Sequence, residues 1–194
     1  MHRSPFNAAR AVAVVAAVAA LALPAAAGAA SKAPAAGALD TPVWAQRVCS
    51  AVLDWSEEAG KRADALEGKV SATDLKKSRA VLSRFMDDVV RETDRMITRI
   101  DAAGTPKVEQ GAAIRQRLRA NLKRARGLLA DGRREAAALS VTDRAAFAKG
   151  ATALGNRIET QFGALAGAFE KIDALYPSAE LDAAVEAAPA CKKL

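Results

Sequence analysis

Thr142–Ile172 reads TDRAAFAKGATALGNRIETQFGALAGAFEKI, and this stretch decides the fold class. Phe147, Ala151, Leu154, Ile158, Phe162, Leu165, Phe169 and Ile172 recur at three- and four-residue steps, which places them on one face of an α-helix. Thr142 and Asp143 carry the oxygen acceptors that an N-cap needs. Tyr176-Pro177 then stops the helix, because proline cannot continue it.

Working back toward the N-terminus, the same period recurs. Ile114, Leu118, Leu122, Ala125, Leu129, Ala136 and Leu139 mark a third helix, with Gly127 and Gly132 inside it, each costing about 1 kcal/mol relative to alanine. Leu75, Leu82, Phe85, Met86, Val89, Met96, Ile97 and Ile100 mark a second, opened by Ser71–Asp74 (SATD) and closed by Gly104-Thr105-Pro106. Trp44, Val48, Val52, Trp55, Ala59 and Leu66 mark a first. Thr41 is the expected N-cap, Pro42 a first-turn residue and Gly68 the stop. A short fifth helix spans Ser178–Ala187 before Pro189.

No segment alternates with period two over any length. The expectation is an all-α fold: an elongated antiparallel four-helix bundle with a short C-terminal fifth helix. Four helices of about 25–33 residues give a body roughly 40–50 Å long.

The first thirty residues have a different character. Arg3 and Arg10 make a basic start, Ala11–Leu23 is an unbroken apolar run, and Pro24 is followed by Ala25–Ala27, Gly28, Ala29 and Ala30. That is the layout of a cleaved signal peptide over 1–30, with small residues placing cleavage after Ala27, Ala29 or Ala30. The competing reading is a retained anchor, since residues 11–30 carry no charge; Pro24 and the Ala/Gly-rich second half argue against it. Residues 31–42 (SKAPAAGALDTP) are small and aperiodic and read as a flexible leader, leaving 43–194 as the helical domain. The expected location is therefore secreted or associated with the cell envelope.

Removing 1–30 takes Arg3 and Arg10 from 29 basic residues, leaving 27 against 22 acids, a net +5. It also removes His2, the only histidine in the chain. Without histidine, Ser-His-Asp and Cys-His nucleophile systems are excluded, as are imidazole zinc sites and the Glu-x-x-His signature of bundle oxidases. Two cysteines occur, Cys49 and Cys191. An even count in an oxidising compartment reads as one disulfide rather than a redox centre. Cys49 lies about two turns into the first helix, some 10 Å from its start, where a fifth helix folding back from the fourth would deliver Cys191.

WAQRVCS at 44–50 and EAAPACKKL at 186–194, with the signal segment and four amphipathic helices between them, resemble a group of small exported helical proteins of high-GC actinobacteria. The Ala- and Arg-rich composition agrees. The resemblance spans the mature chain and implies the same helical fold and cysteine placement. Some members of that group look like lipoproteins with a cysteine at the processing site, which this sequence lacks. The resemblance implies no activity and no catalytic residue.

Asp87, Asp88, Glu92, Asp94 and Asp101 cluster on helix two and Glu57/Glu58 on helix one. Two such acids serve a glycoside hydrolase when they converge, but these interleave with Arg84, Arg91, Arg95 and Arg99 in the manner of surface ion pairs. The expectation is a protein that is not an enzyme, with no catalytic residue, metal or cofactor.

Helix three carries the candidate binding feature. At 100° per residue from Arg115, Arg133 returns to 0°, Arg126 falls at about 20°, Arg119 at about 40° and Lys123 at about 80°. This ridge suits an anionic envelope polymer or a membrane surface. Nucleic acid is disfavoured by the lack of aromatics for base stacking. The bland reading has these stems covering the core edge, with their heads solvated or paired to the acids of helix two. Gly163 and Gly167 form G-x-x-x-G on a helix too polar for membrane pairing. Trp44 and Trp55 fit the core, and Tyr176 a helix end. The favoured function is a non-enzymatic extracellular or envelope-associated binding or structural protein. A carrier of a small apolar ligand within the bundle is the alternative, and a carboxylate-dependent hydrolase a weaker one.

Overall fold

A computed structural model describes residues 38–71 and 73–194, with the side chains of 162–171 and 173 outside that description. The expected signal peptide, the leader up to residue 37, Gly163, Gly167 and the stripe positions Phe162, Leu165 and Phe169 therefore lie outside the described set. The described chain is all-helical: α1 Thr41–Asp64, α2 Leu75–Ala103, α3 Gly111–Ala138, α4 Arg144–Leu175, α5 Ala179–Ala187, and a terminal 3-10 turn at Cys191–Lys193. Among the described residues no helix is long and apolar enough to cross a membrane.

Local chemistry sets the helix ends. Asp74 accepts from the Lys77 N–H at 2.9 Å, Asp143 from Ala146 at 3.0 Å and Ser178 from Leu181 at 3.2 Å. Each cap satisfies an amide that would otherwise lack a partner. Gly104 closes α2 at φ +73°, and Gly68 turns the connection after α1 at φ +70°. These left-handed conformations favour glycine. α1 itself ends at Asp64, so Leu66 lies in the connection instead of on the helical stripe.

The start of the domain differs from the sequence reading in two respects. Thr41 is the first residue of α1, not its N-cap; Asp40 precedes it without a side-chain cap bond. Thr41 is buried instead, donating its hydroxyl to Glu180 Oε1 at 2.7 Å. Backbone pairing to the helical domain is also present before residue 43. Leu39 N–H donates to Thr105 O at 2.8 Å and Leu39 O accepts from Lys107 N at 2.9 Å. With both its N–H and its C=O bonded to that one segment, Leu39 is anchored, so the end of the leader is held by the turn between α2 and α3.

α2 packs between α1 and α3, α4 continues onto α3, and α5 folds back on α1. Neighbours run antiparallel. Trp55 Nε1 of α1 donates to Thr93 Oγ1 of α2 at 3.0 Å, while the later Arg62 meets the earlier Asp88. The core divides along the long axis. Trp44, Ala45, Ala103, Val108, Ile114, Ile172, Leu181, Ala184 and Ala188 close the end where α1 begins. Ala51, Met96, Ile100 and Leu122 fill the middle. Met86, Val89, Val90, Leu129, Ala136 and Leu154 fill the other end. Gly132 lets this last cluster close, since a Cβ there would sit 3.0 Å from Met86 Cε and 3.4 Å from Leu154 Cδ1.

Cys49 and Cys191 are bonded, with Cα atoms 5.0 Å apart across a sequence separation of 142. The bond lies at the end where α1 starts and α4 finishes. Beside it the Ala190 N–H donates to Gln46 Oε1 at 3.2 Å. The C-terminal tail is thus tied to α1 by one covalent bond, two side-chain hydrogen bonds and the apolar contacts of Leu181, Ala184 and Ala188.

Candidate functional site

The charged side chains of α1, α2 and α3 form two seams. Between α2 and α3, Arg119 meets Asp101 at 3.1 Å, Arg126 meets Asp94 at 2.9 Å and Arg133 meets Asp87 at 3.2 Å. Each step of seven up α3 is answered by a step of seven down α2. Seven residues are almost two turns, so antiparallel helices bring the same flanks together at every repeat. Arg126 grips Asp94 through both Nε and Nη2, and these hydrogen bonds to the Asp94 carboxylate raise the Arg126 pKa.

The helix-three ridge is therefore divided. Arg119, Arg126 and Arg133 are bound to aspartates, whereas no ion pair among the described residues engages Arg115 or Lys123. Lys123 is exposed; Arg115 is half-buried, with its Nε shielded from solvent and without a hydrogen-bond partner.

Between α1 and α2, Arg62 reaches Asp88 at 3.0 Å and Glu92 at 2.7 Å. Asp88 also pairs with Arg91, Glu92 with Arg95 at 3.0 Å, and Asp54 with Arg99. Glu92 is only 6% exposed, so removing a partner would leave a buried carboxylate less well compensated. We expect Arg62→Ala to cost about 2 kcal/mol, less than for a fully isolated buried pair because Arg95 remains. Urea unfolding should show this as a lower midpoint at unchanged slope; a variant as stable as the parent would contradict the role given to Arg62. On the outer side of α1, the Lys61 hydrogen bond lowers the Glu58 pKa and raises that of Lys61 in turn.

The acids singled out from the sequence are thus distributed along the seams. Asp87, Asp88, Glu92, Asp94, Asp101 and Glu58 each have a cationic partner within 4.0 Å, and Glu57 adds to the field at Lys61. The described surface includes shallow depressions. One of about 460 Å³ lies over Arg91, Asp94, Arg95, Thr98 and Arg99 on the outside of α2. Another, of about 400 Å³, lies at the connection between α1 and α2. Among the described residues no three Asp, Glu, His or Cys side chains are placed to hold a metal ion.

Compared with known protein families, curated sequences and solved structures, the chain matches none.

Sequence reasoning passes over one feature. Arg84, Arg91, Arg95 and Arg99 enter it only as partners for neighbouring acids, yet with Lys77 they form a row on the outer side of α2. Their signal is present in the spacing 77, 84, 91, 95 and 99. It is masked by interleaved aspartates whose partners on α1 and α3 only the tertiary structure identifies.

Proposed function

We propose that the protein is exported and works outside the cytoplasm as a non-enzymatic, disulfide-clasped binding or structural protein, engaging an anionic polymer or membrane surface of the cell envelope through α2 and α3. The observation that carries this reading is the placement of charge. α1, α2 and α3 together hold 18 basic and 11 acidic residues, a surplus of +7, while residues 144–194 hold six of each. α3 alone has eight basic residues against two acids. A surplus confined to one set of helices gives the molecule an oriented field, which attracts polyanions more effectively than the same charge spread evenly. Export is supported by the Cys49–Cys191 bond, since such bonds persist in oxidising compartments, and by the layout of residues 1–30.

The test is binding of the mature protein to phosphatidylglycerol vesicles and to poly(glycerol phosphate). Affinity should drop about tenfold or more as salt rises from about 50 to 200 mM. It should also fall with Arg115→Ala, Arg119→Ala and Arg126→Ala combined. Binding that is absent, or that ignores salt, removes the proposal.

A further inference from the structure

We infer that the outer face of α2 is a docking track for a linear polymer of phosphate groups without bases, laid along the helix over Lys77, Arg84, Arg91, Arg95 and Arg99. This rests on the anionic-partner reading above and names the polymer class and the residues that would hold it.

Geometry comes first. At 100° per residue from Arg91, Arg84 falls at about 20°, Lys77 and Arg95 at about 40° and Arg99 at about 80°, so all five share one narrow strip. From Lys77 to Arg99 the strip runs about 33 Å, with Arg91, Arg95 and Arg99 rising about 6 Å at each step. Lys77 and Arg84 are exposed, and the side chains of Arg91, Arg95 and Arg99 are 52%, 65% and 51% accessible. The 460 Å³ depression lies over the last three, with Thr98 and Asp94 also in its lining. Asp94 does not cancel the strip, because its two oxygens are held by Nε and Nη2 of Arg126.

The second argument is unspent donor capacity. Arg91 reaches Asp88 through Nη2 alone, Arg95 reaches Glu92 through Nη1 alone, and Arg99 reaches Asp54 through Nη1 alone. A guanidinium carries five N–H donors, so most of each remains for an incoming oxyanion. The carboxylates are also oversubscribed: Asp88 and Glu92 together serve Arg62, Arg91 and Arg95. Among the described residues no ion pair engages Lys77 or Arg84. The strip therefore keeps a net positive charge after its pairs are counted.

The third argument selects the partner. Stable seating on a bilayer adds apolar side chains inserted below the headgroups to the attraction of charge, and single-stranded nucleic acid is held by aromatic rings that stack on bases as well as by charge. The exposed large hydrophobics among the described residues are Val43 and Leu175, on α1 and α4 rather than on this strip. Phe85, the one aromatic of α2, is turned into the core against the Met86 cluster. A narrow, straight, guanidinium-rich strip without apolar or aromatic anchors matches a flexible chain of phosphodiesters.

The experiment compares two charge-matched variants of the mature protein against fluorescent poly(glycerol phosphate), with phosphatidylglycerol vesicles and oligothymidylate as competing probes. Lys77→Glu with Arg84→Glu reverses two strip residues that hold no ion pair among the described residues. Arg144→Glu with Lys149→Glu makes the same net change on α4. Helical circular dichroism and the thermal midpoint report whether each variant is folded. The strip variant should bind at least about tenfold more weakly with a flatter salt dependence. The α4 variant should stay within about threefold of the parent, since distant charges are screened. Equal losses in both would overturn the track, as would preference for vesicles or oligothymidylate. If the strip variant binds normally while the Arg115/Arg119/Arg126 variant does not, the track is wrong and the anionic-partner reading stands. Absence of salt-dependent binding to all three probes removes both.

Discussion

Replacing Cys49 and Cys191 together by serine should lower the unfolding free energy by about 3–5 kcal/mol and release the C-terminal tail before the rest of the fold. The size follows from the span of the bond. Closing a separation of 142 residues restricts the unfolded chain by about 5 kcal/mol in the chain-entropy account, and residual denatured-state structure reduces that figure. The order of events follows from what else holds the tail. α5 has nine residues, too few to persist unaided. Its packing partner is α1, with the terminal turn alongside. Without the bond, the tail keeps the Thr41–Glu180 and Gln46–Ala190 hydrogen bonds and the burial of Leu181, Ala184 and Ala188. Hydrogen exchange should speed first over 179–193, with α2 and α3 still protected. Trp44, 5% exposed in that cluster, should shift its emission to the red as the tail opens. An unchanged urea midpoint, or uniform loss of protection across all helices at once, would show that the clasp does not act in this way.

Gly111→Ala should destabilise by about 3 kcal/mol, against the usual sign of such a change. Alanine in place of glycine within a helix normally gains up to about 1 kcal/mol. At the first residue of α3, however, a Cβ would stand 2.0 Å from Pro106 O and 3.1 Å from Pro106 C. A backbone carbonyl cannot swing aside as a side-chain tip can, so the connection between α2 and α3 must move. That connection is a junction. Pro106 is fully buried, Trp44 Nε1 donates to Gly104 O at 3.1 Å, and Leu39 pairs with Thr105 and Lys107. Displacing it loosens α1 and the start of the domain together. The control is Gly127→Ala in the same helix, where a Cβ meets nothing within 4 Å and the ordinary gain should return. Thermal midpoints moving the same way in both variants would refute the steric account.

Much of the fold was legible in the sequence because it rests on local periods. The stripes of α2 and α3 point inward as their spacing requires, and Asp74, Asp143 and Ser178 cap the helices that follow them. The disulfide was legible for a related reason: antiparallel helices of similar length leave one place where a returning tail can meet α1. The beginning of the domain was not legible. Thr41 has the composition of a cap and Leu39 sits in a small-residue leader, but their partners, Glu180, Thr105 and Lys107, are distant in sequence. No local rule reaches that far.

The helix-three ridge separates the two kinds of information. A 100° turn per residue is a property of the backbone, so the sequence by itself places Arg115, Arg119, Lys123, Arg126 and Arg133 on one side of one helix. Whether those charges are free depends on what stands opposite, and that is set by the register in which α3 packs on α2. The register aligns 119, 126 and 133 with 101, 94 and 87, neutralising three of the five and leaving Arg115 and Lys123 without an ion-pair partner among the described residues. Core packing fixes that register, because Met96, Ile100 and Leu122 must interlock in the middle while Met86 and Leu129 do so nearer the other end. Helical period assigned the charges to their faces; tertiary packing decided which of them are already paired.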